Sequence, residues 1–441
     1  MKTEFDPDFG SALDAATAIR ARKISSVELT HHTLRRIDAF QPKLNAYVYQ
    51  LRDQALEAAK QADQAIAGNS ATGVGVLQGV PINVKESFGV QGQPCTWGVP
   101  EFKNAKAAAD SVPVRRLKDA GAILLGGTNV PKFLMDGQSF NEIYGVTNNP
   151  WDVARTPGGS SGGSAASLAA GMAFFSIGSD IGGSIRTPCA FCGIYGHKPT
   201  LDIVNMSGHL PGGLQVNPGF STLLAVGGPM ARTAADLEAG LCILAGFEPP
   251  DSKAFQWTLP QPRHQKLRDF RIGYVLEDPA VPVSTETKSV LEAAIRACEK
   301  AGGEKRSDSL AKGALSGFAE WQGKNLRRLA YRAMWEKFFE SVDVLLLPTA
   351  FTTAFPHDPT APDQRQIPMP EGGSRSFWDL LAYITPATLT GCPATTAPAG
   401  LSKSGLPVGL QIIGPYLEDA TPIAFARLLA EEIGGFQAPA I

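Results

Sequence analysis

The 441-residue sequence predicts an α/β protein in which helices cover a largely parallel sheet. Residues 76–84 and 122–126 are short apolar runs typical of buried strands, and residues 110–120 between them have a helical pattern. This strand–helix–strand order favours parallel pairing of the two strands. Apolar residues make up 44% of the chain and charged residues 19%, which is typical of a globular protein with a substantial core.

Helices are predicted in roughly the first 70 residues of the chain. Ala12 and Ile19 bound a run of apolar residues at helical spacing, and Ser25 forms a capping box with Glu28 that opens a second helix. Residues 55–67 predict a third helix. The apolar stripes of these helices are interpreted as facing the core rather than a partner.

Later segments alternate between regular and irregular patterns. Residues 270–276 predict a strand, residues 284–301 an amphipathic helix, and residues 310–340 a further helical stretch. Residues 131–150 look irregular, which suits a loop on the substrate side. Residues 351–378 are rich in proline and glycine, and they predict a long structureless segment of the kind that forms a lid or a pocket wall.

Residues 156–200 contain two glycine-framed serine clusters, at 158–164 and 180–186. Either cluster alone is also typical of a flexible linker. The apolar stretch between them, however, predicts a helix over 164–171 and a strand over 172–177, so the two loops are expected to meet. Glycine allows close backbone approach, and consecutive free N–H groups can hold an anion or oxyanion. A phosphate-binding P-loop is disfavoured, because no lysine follows the glycines.

Three motifs in this region resemble the signature of a known enzyme family. They are GGSSGGSAA at 158–166, DIGGSIRTP at 180–188 and GIYGHKPT at 193–200. The sequence resembles the amidase signature family, which comprises serine hydrolases that cleave C–N bonds through a Ser–Ser–Lys triad. The resemblance is to a free-standing amidase or urethanase, and it covers most of the chain.

The resemblance also implies an architecture. The whole chain, 1–441, is expected to form one α/β/α sandwich domain with a mostly parallel mixed central sheet covered by helices. Its parts would be a helical N-terminal region, 1–70, and a signature core, 76–240. The likeness is weakest around 250–340 and 350–378, which are therefore expected to be variable segments on the substrate side.

Residue-for-residue carry-over from the family assigns three catalytic roles. It implies that Ser184 is the nucleophile, that Ser160 is a bridging serine held across a cis peptide bond, and that Lys85 is the base. It also implies an oxyanion hole and no need for a metal or organic cofactor. The backbone N–H groups expected to form this hole belong to Ile181, Gly182, Gly183 and Ser184.

The role of Lys85 also has a physical rationale. A lone lysine after a strand is ordinarily a solvated end, but Lys85 follows the apolar run 81–84. Burial disfavours the ammonium form and can lower a lysine pKa by several units from its reference value of roughly 10.4. A buried Lys85 would therefore be a credible base for a serine hydroxyl.

Other polar residues near the clusters have structural interpretations. Asp180 and Arg186 flank the expected nucleophile, and we expect them to pair and brace the loop rather than to react. Cys189 and Cys192 form a CxxC motif, which is typical of redox or zinc sites, but no second CxxC or nearby histidine pair completes such a site. We interpret both cysteines as buried small residues beneath the loop.

Several apolar and aromatic residues are candidates for the substrate pocket, and for the first three of them packing of their own loop is an equally good interpretation. They are Met135, Phe140, Tyr144, Trp335, Phe377 and Trp378. Their character favours a neutral, hydrophobic or aryl amide as the substrate. A hydrolase of carbamates (urethanes) or esters with the same triad is one alternative.

Two further alternatives come from other functional classes. The glutamine-hydrolysing subunit of a tRNA-dependent amidotransferase, as the family is known, binds the charged end of glutamine with an acidic residue. Residues 380–387 offer no such acid after Asp379, which argues mildly against this function. A catalytically inactive binding protein is disfavoured, because Lys85, Ser160 and Ser184 are all present.

Composition narrows the expected partners and location. The formal net charge of −2 gives no reason to expect nucleic acid or an anionic membrane as a partner. No run of apolar residues is long enough to span a membrane, and the N-terminal residues lack the apolar core of a signal peptide. We therefore expect a cytoplasmic monomer or homodimer that acts on a small-molecule amide or carbamate.

Overall fold

The computed structural model describes residues 5–68, 75–211, 223–307 and 318–441. The described helices are α1 (Ala12–Arg20), α2 (Ser26–Leu44), α3 (Arg52–Ala67), α4 (Val112–Asp119), α5 (Gly162–Ala169), α6 (Arg186–Cys192), α7 (Ala234–Leu244), α8 (Thr285–Lys300), α9 (Phe318–Phe338), α10 (Thr385–Thr390) and α11 (Ala420–Ile433). The described strands are β1 (Tyr47–Gln50), β2 (Pro81–Lys85), β3 (Ile123–Thr128), β4 (Phe140–Asn141), β5 (Gly145–Val146), β6 (Phe175–Asp180), β7 (Tyr195–Lys198), β8 (Val226–Ala231), β9 (Arg271–Tyr274), β10 (Glu304–Ser307), β11 (Val344–Pro348), β12 (Gln366–Pro368), β13 (Ser374–Ser376), β14 (Ala394–Leu401) and β15 (Pro407–Ile413).

Eleven of these strands form one mixed sheet in the order β1-β3-β2-β6-β8-β7-β14-β15-β11-β9-β10. Strands β3, β2 and β6 pair in parallel near one end, and β11, β9 and β10 do so at the other. The remaining neighbours pair antiparallel. The mixed sheet is confirmed, but its predicted mostly parallel character is wrong, because the β14–β15 hairpin and its neighbours are antiparallel.

Helices cover both faces of the sheet, as predicted. Alternation along β3 shows the two faces: Leu124 belongs to one core cluster, whereas Ile123 and Leu125 belong to another. Helices α1, α4, α7, α8 and α11 pack on the first face. The second face is covered by α2, α3, α5 and α6, together with α9 and α10 toward the β11 end. The strands are therefore buried on both sides, which explains their nearly continuous apolar runs.

Local sequence signals explain most element boundaries. Ser25 and Glu28 form the expected capping box, and Asn45 ends α2 in the left-handed conformation. Other boundaries differ from the predictions. Only the second half of the run 76–84 is a strand, and β6 begins three residues later than the predicted strand start at Met172. Of the predicted helical stretch 310–340, the first eight residues lie outside the described part of the chain.

The prediction of a long structureless segment over 351–378 is wrong. Strands β12 and β13 pair there as a small hairpin. The buried Arg365 guanidinium forms an ion pair with Asp136 at 2.6 Å and donates to the carbonyl of Thr360. Gln138 donates to the carbonyl of Asp358 at 2.7 Å. These long-range contacts, which proline and glycine content does not reveal, fix the segment against the 131–150 loop.

Within the described ranges, no helix combines the length and apolar character that crossing a membrane requires.

Candidate active site

The parallel strands β2 and β6 are neighbours, and their carboxyl ends deliver the candidate residues to one edge of the sheet. Lys85 is the last residue of β2, and Asp180 is the last residue of β6. Helices α5 and α6 begin within the two serine clusters, at Gly162 and Arg186, and lie against each other on the same face. The loops that precede these helices, carrying Ser160 and Ser184, therefore converge near Lys85.

Lys85 and Ser160 are in direct contact. The Lys85 side chain is fully buried, and its Nζ lies 2.6 Å from Ser160 Oγ and 3.0 Å from Ser179 Oγ. The peptide bond between Gly159 and Ser160 is cis, as the resemblance implied. Burial lowers the pKa of Lys85 to about 7, against the opposing attraction of the Asp180 carboxylate. A large fraction of Lys85 is therefore neutral near neutral pH and can accept a proton.

Ser184 joins this pair through the backbone. The Ser161 N–H donates to the carbonyl of Ser184 at 3.1 Å, which fixes the two serine clusters against each other. Ser184 is 8% exposed and Ser160 is 1% exposed, so Ser184 is the more accessible of the two serines. The structure thus brings the three sequence-predicted residues to one place, with Lys85 deepest.

Asp180 and Arg186 form the predicted brace. The Arg186 guanidinium contacts both carboxylate oxygens, with distances of 2.8 and 3.0 Å, and both side chains are fully buried. Burial alone raises the pKa of Asp180, but the charge and hydrogen bonds of Arg186, the Ile185 N–H and the Lys198 charge together outweigh that effect and lower the pKa to about 2. Arg186 also donates to the Ile384 carbonyl and the Thr388 hydroxyl, each at 2.8 Å. The interpretation of this pair as a loop brace is confirmed.

One predicted oxyanion donor is directed elsewhere. The Gly183 N–H donates to Asp180 Oδ1 at 3.0 Å, because the carboxylate turns back to close its own loop. Gly183 has a φ of 89°, a conformation that favours glycine at this turn. The set of candidate donors therefore reduces to the N–H groups of Ile181, Gly182 and Ser184.

Two residues that the sequence analysis missed border this loop. A Cβ atom built on Gly182 would lie 3.3 Å from Leu381 Cδ2, and one built on Gly183 would lie 3.0 Å from Ile384 Cγ1. Both residues come from the segment just before and at the start of α10, about 200 positions away in the chain. No local sequence pattern indicates this contact. The wall that this segment presents to Gly182 and Gly183 is therefore aliphatic.

The predicted pocket residues lie in three different environments. Met135 is 73% exposed and Trp378 is 48% exposed. The segments that carry these two residues meet at Gly137, because a Cβ atom built there would lie 3.0 Å from the Phe377 ring. Buried Phe377 packs edge to face on Trp378. The loop before Gly137 also approaches the serine cluster, since a Cβ built on Gly159 would lie 2.5 Å from the Asp136 carbonyl oxygen.

The other three predicted pocket residues lie in local packing. Phe140 is in β4 of the two-stranded β4–β5 sheet, and Tyr144 lies in the turn between its strands, where Asn45 donates to the Tyr144 carbonyl. Trp335 packs edge to face on Phe339, with ring centroids 5.9 Å apart. For Phe140 and Tyr144 the structure supports the packing interpretation, and the contact of Trp335 is likewise with a neighbouring ring.

Neither cysteine of the CxxC motif is available for chemistry. Cys189 and Cys192 are fully buried in α6, and burial raises the pKa of both thiols well above the ordinary value. Their prediction as buried residues under the loop is confirmed. Within the described part of the chain, no group of three or more histidine, cysteine, aspartate or glutamate side chains is arranged to hold a metal ion.

A histidine that the sequence analysis did not single out lies behind Lys85. His209 Nε2 is 3.0 Å from Ser179 Oγ, the second hydroxyl that contacts the Lys85 amine. His209 lies 124 residues after Lys85 without a recognisable motif around it, so only the folded chain shows this proximity.

Comparison with known proteins agrees with this geometry. A family model described as Amidase matches residues 28–312 and 306–422. The glutamyl-tRNA(Gln) amidotransferase A subunit of Gloeothece citriformis is 32% identical, covering 90% of this chain and 92% of that protein. Its counterpart from Alkalilimnicola ehrlichii is 33% identical, covering 92% of this chain and 94% of that protein. A solved bacterial aryl acylamidase of the amidase signature enzymes shares the fold, with a TM-score of 0.82, 24% identity and 97% of each chain covered. The chain therefore belongs to the amidase signature family of C–N hydrolases.

Proposed function

We propose that this protein hydrolyses neutral amides with hydrophobic or aryl groups, through an acyl-enzyme formed on Ser184. The observation that carries the proposal is the contact between Lys85 and Ser160, 2.6 Å long and fully buried beneath the Ser184 loop. Amide cleavage requires an activated nucleophile, a base, donors for the oxyanion and a proton for the departing amine. The residues gathered at this edge of the sheet can supply all four.

In the proposed mechanism, Ser184 Oγ attacks the amide carbonyl while its proton passes to Ser160 and the Ser160 proton passes to Lys85. The N–H groups of Ile181, Gly182 and Ser184 stabilise the negative charge that develops on the carbonyl oxygen. When the tetrahedral intermediate collapses, the Lys85 ammonium returns its proton through Ser160 to the leaving nitrogen, and the C–N bond breaks. Water then attacks the acyl-enzyme and gives up a proton through Ser160 to Lys85. The second tetrahedral intermediate collapses as this proton returns through Ser160 to Ser184 Oγ, the acyl C–O bond breaks and the carboxylic acid leaves.

The preference for a neutral, apolar substrate rests on the wall beside the oxyanion loop. Leu381 and Ile384 face Gly182 and Gly183, and aliphatic side chains there favour apolar acyl or aryl groups. The nearest acid along this segment, Asp379, is engaged by the Arg375 guanidinium at 2.9 Å. A charged amine on the substrate would therefore find no free carboxylate on this wall.

A second candidate function has specific support. The relatives at 32–33% identity are named as the A subunit of a glutamyl-tRNA(Gln) amidotransferase, and they match over nearly their full length. Glutamine hydrolysis uses the same steps, and it differs in requiring recognition of the charged end of glutamine. We place it second because of the aliphatic wall. Carbamates and esters are further alternatives, because the triad tolerates different atoms beside the carbonyl.

The deciding experiment measures release of 4-nitroaniline from a neutral acyl anilide by the purified chain alone, beside the Ser184→Ala variant. We expect turnover by the parent and none by the variant, and slower hydrolysis of glutamine than of the anilide. Matched carbamates and esters then rank the preference among neutral substrates. Much faster hydrolysis of glutamine would overturn the neutral-substrate proposal and favour the amidotransferase function.

We further propose that the enzyme acts in the cytoplasm on a small molecule, as a monomer or homodimer that needs no second kind of protein. Light scattering on the purified active protein would determine how many copies of the chain associate.

The pH dependence of activity is a separate prediction. Because Lys85 must be neutral to accept a proton, kcat/KM is expected to fall about tenfold per pH unit below the Lys85 pKa of about 7 and to level off above it. Substrates without titratable groups should be used, so that the profile reports the free enzyme. An activity that stays constant between pH 5 and 8 would contradict the role of Lys85 as the base.

A further inference from the structure

A buried hydroxyl and an imidazole form a second chain of contacts that ends at Lys85, separate from the proposed proton path through Ser160. Ser179 Oγ is 3.0 Å from Lys85 Nζ and 3.0 Å from His209 Nε2. Ser87 Oγ lies 3.0 Å from the same imidazole nitrogen. All four side chains are buried, so water cannot substitute freely for any of these contacts.

The orientation of His209 is fixed by packing. Its ring lies against Phe88, with centroids 4.6 Å apart, and against Trp97, with centroids 4.9 Å apart. Trp97 is in turn held by its indole N–H, which donates to the Ser87 carbonyl at 3.3 Å. The imidazole therefore directs Nε2 at the two serine hydroxyls and has little freedom to turn away.

The arrangement matters because a neutral lysine amine has only one lone pair. Two hydroxyls, those of Ser160 and Ser179, lie close enough to donate a proton to it. If the Ser179 hydroxyl occupied that lone pair, Lys85 would be unable to accept the proton of Ser160. Some other acceptor must therefore hold the Ser179 proton while Lys85 acts as a base.

His209 Nε2 is the acceptor in a position to do so. With the Ser179 hydroxyl donating to Nε2, the Ser179 oxygen accepts an N–H from Lys85, and the lone pair of Lys85 remains directed at Ser160. This pattern requires the tautomer with its proton on Nδ1, and it requires that the Ser179 hydroxyl, rather than that of Ser87, donates to the single lone pair of Nε2. Among the described residues, Nδ1 has no hydrogen-bond partner that would favour the other tautomer.

The imidazole also stays neutral over the working range. Burial and, to a smaller extent, the nearby Lys85 charge lower the pKa of His209 to about 3. A neutral ring keeps an acceptor lone pair at any pH at which Lys85 can act as a base.

We propose that His209 is a positioning residue, which holds the Ser179 hydroxyl turned away from Lys85 and so reserves the Lys85 lone pair for Ser160. The inference rests on the proposed function of the triad. It assigns no contact between His209 and the substrate.

A double-mutant cycle tests this proposal, with the parent, His209→Phe, Ser179→Ala and the double variant. In His209→Phe the Ser179 hydroxyl has lost its acceptor and competes for Lys85, so kcat is expected to fall roughly tenfold to a hundredfold, with little change in KM. In the Ser179→Ala background no competing hydroxyl exists, so the addition of His209→Phe should lower kcat by less than about threefold. Equal losses in both backgrounds would overturn the proposal, because a merely structural histidine does not need Ser179.

A second variant distinguishes loss of the hydrogen-bond acceptor from misfolding of His209→Phe. His209→Gln places an amide oxygen near the position of Nε2, where it can accept the Ser179 proton, and it is expected to restore most of the activity that phenylalanine removes. Loss of activity in His209→Gln equal to that in His209→Phe, with folded protein by circular dichroism, would also count against the proposal.

The readout should include the labelling rate of Ser184 by a fluorophosphonate, which reports serine activation without a specific substrate. A parent chain that is not labelled would show that the proposed triad chemistry itself fails. A labelled parent with additive losses in the cycle would reject the role of His209 alone.

Discussion

Replacement of Lys85 by methionine is expected to lower kcat/KM by about 10²–10⁴-fold while leaving the protein folded. Methionine fills the same buried space but has no lone pair of sufficient basicity for the Ser160 proton. The variant should also lose a pH dependence of stability. The pKa of Lys85 is about 7 in the folded protein and roughly 10.4 in the unfolded chain. Between these two pH values the unfolded chain therefore binds a proton at Lys85 that the folded protein does not. The free energy of unfolding of the parent should therefore rise with pH across this window, by up to about 1.4 kcal/mol per unit from this group.

Urea unfolding at several pH values, beside steady-state kinetics, measures both effects. Lys85→Arg should be equally inactive, because guanidinium does not lose its proton. Lys198→Met is a matched control: Lys198 is also buried with a lowered pKa, of about 8, but it donates to the carbonyl of Pro199. It is expected to retain kcat. A Lys85→Met variant with more than a tenth of parental activity would refute the assignment of the base.

Replacement of Asp180 by asparagine is expected to lower the free energy of unfolding by about 3–5 kcal/mol. The change leaves the Arg186 charge fully buried without its counter-ion. It also weakens acceptance from the N–H groups of Gly183 and Ile185, which lie 3.0 and 3.1 Å from the carboxylate. Because these bonds shape the loop that carries Ser184, kcat should fall as well.

Asp343→Asn separates the two effects. Asp343 is equally buried and pairs with Arg271 at 2.6 Å and with Arg263 at 3.2 Å, outside the candidate site. Denaturant unfolding should show a smaller destabilisation in this control, because Arg271 and Arg263 are partly exposed to solvent, while kcat of the folded fraction remains at the parental value. An Asp180→Asn variant with parental kcat would show that the loop does not depend on this pair.

The sequence predicted the parts of the molecule that short-range patterns determine. The capping box at Ser25, the buried strand at 122–126 and the two glycine-framed loops all depend on residues within a few positions of one another. The pair Asp180–Arg186 was accessible for the same reason, whereas the sandwich architecture came from the family resemblance. The catalytic roles of Lys85, Ser160 and Ser184 came from the family resemblance, and they remain predictions that the variants above test.

The parts that sequence reasoning missed depend on distant segments. Leu381 and Ile384 reach the oxyanion loop only because the chain returns to it after some 200 residues. The segment 351–378 is ordered by Arg365, whose partner Asp136 lies 229 positions away. Counting prolines and glycines reports local stiffness and turns, but not the contacts that a distant charge can make.

The Arg186 guanidinium has a consequence for how substrate range can change. It binds the nucleophile loop through Asp180, and it binds the pocket wall through the Ile384 carbonyl and the Thr388 hydroxyl. A mutation that displaces the backbone of this wall also displaces the support of Ser184. Substitutions selected at these positions for a new substrate would therefore lower kcat at the same time.

Met135 and Trp378 are exposed at the meeting point of two other segments. If the proposed function holds, changes there alter a surface near the site and leave the guanidinium contacts intact. We expect adaptive substitutions, whether in natural lineages or in directed evolution, to accumulate at these two positions before they reach Ile384.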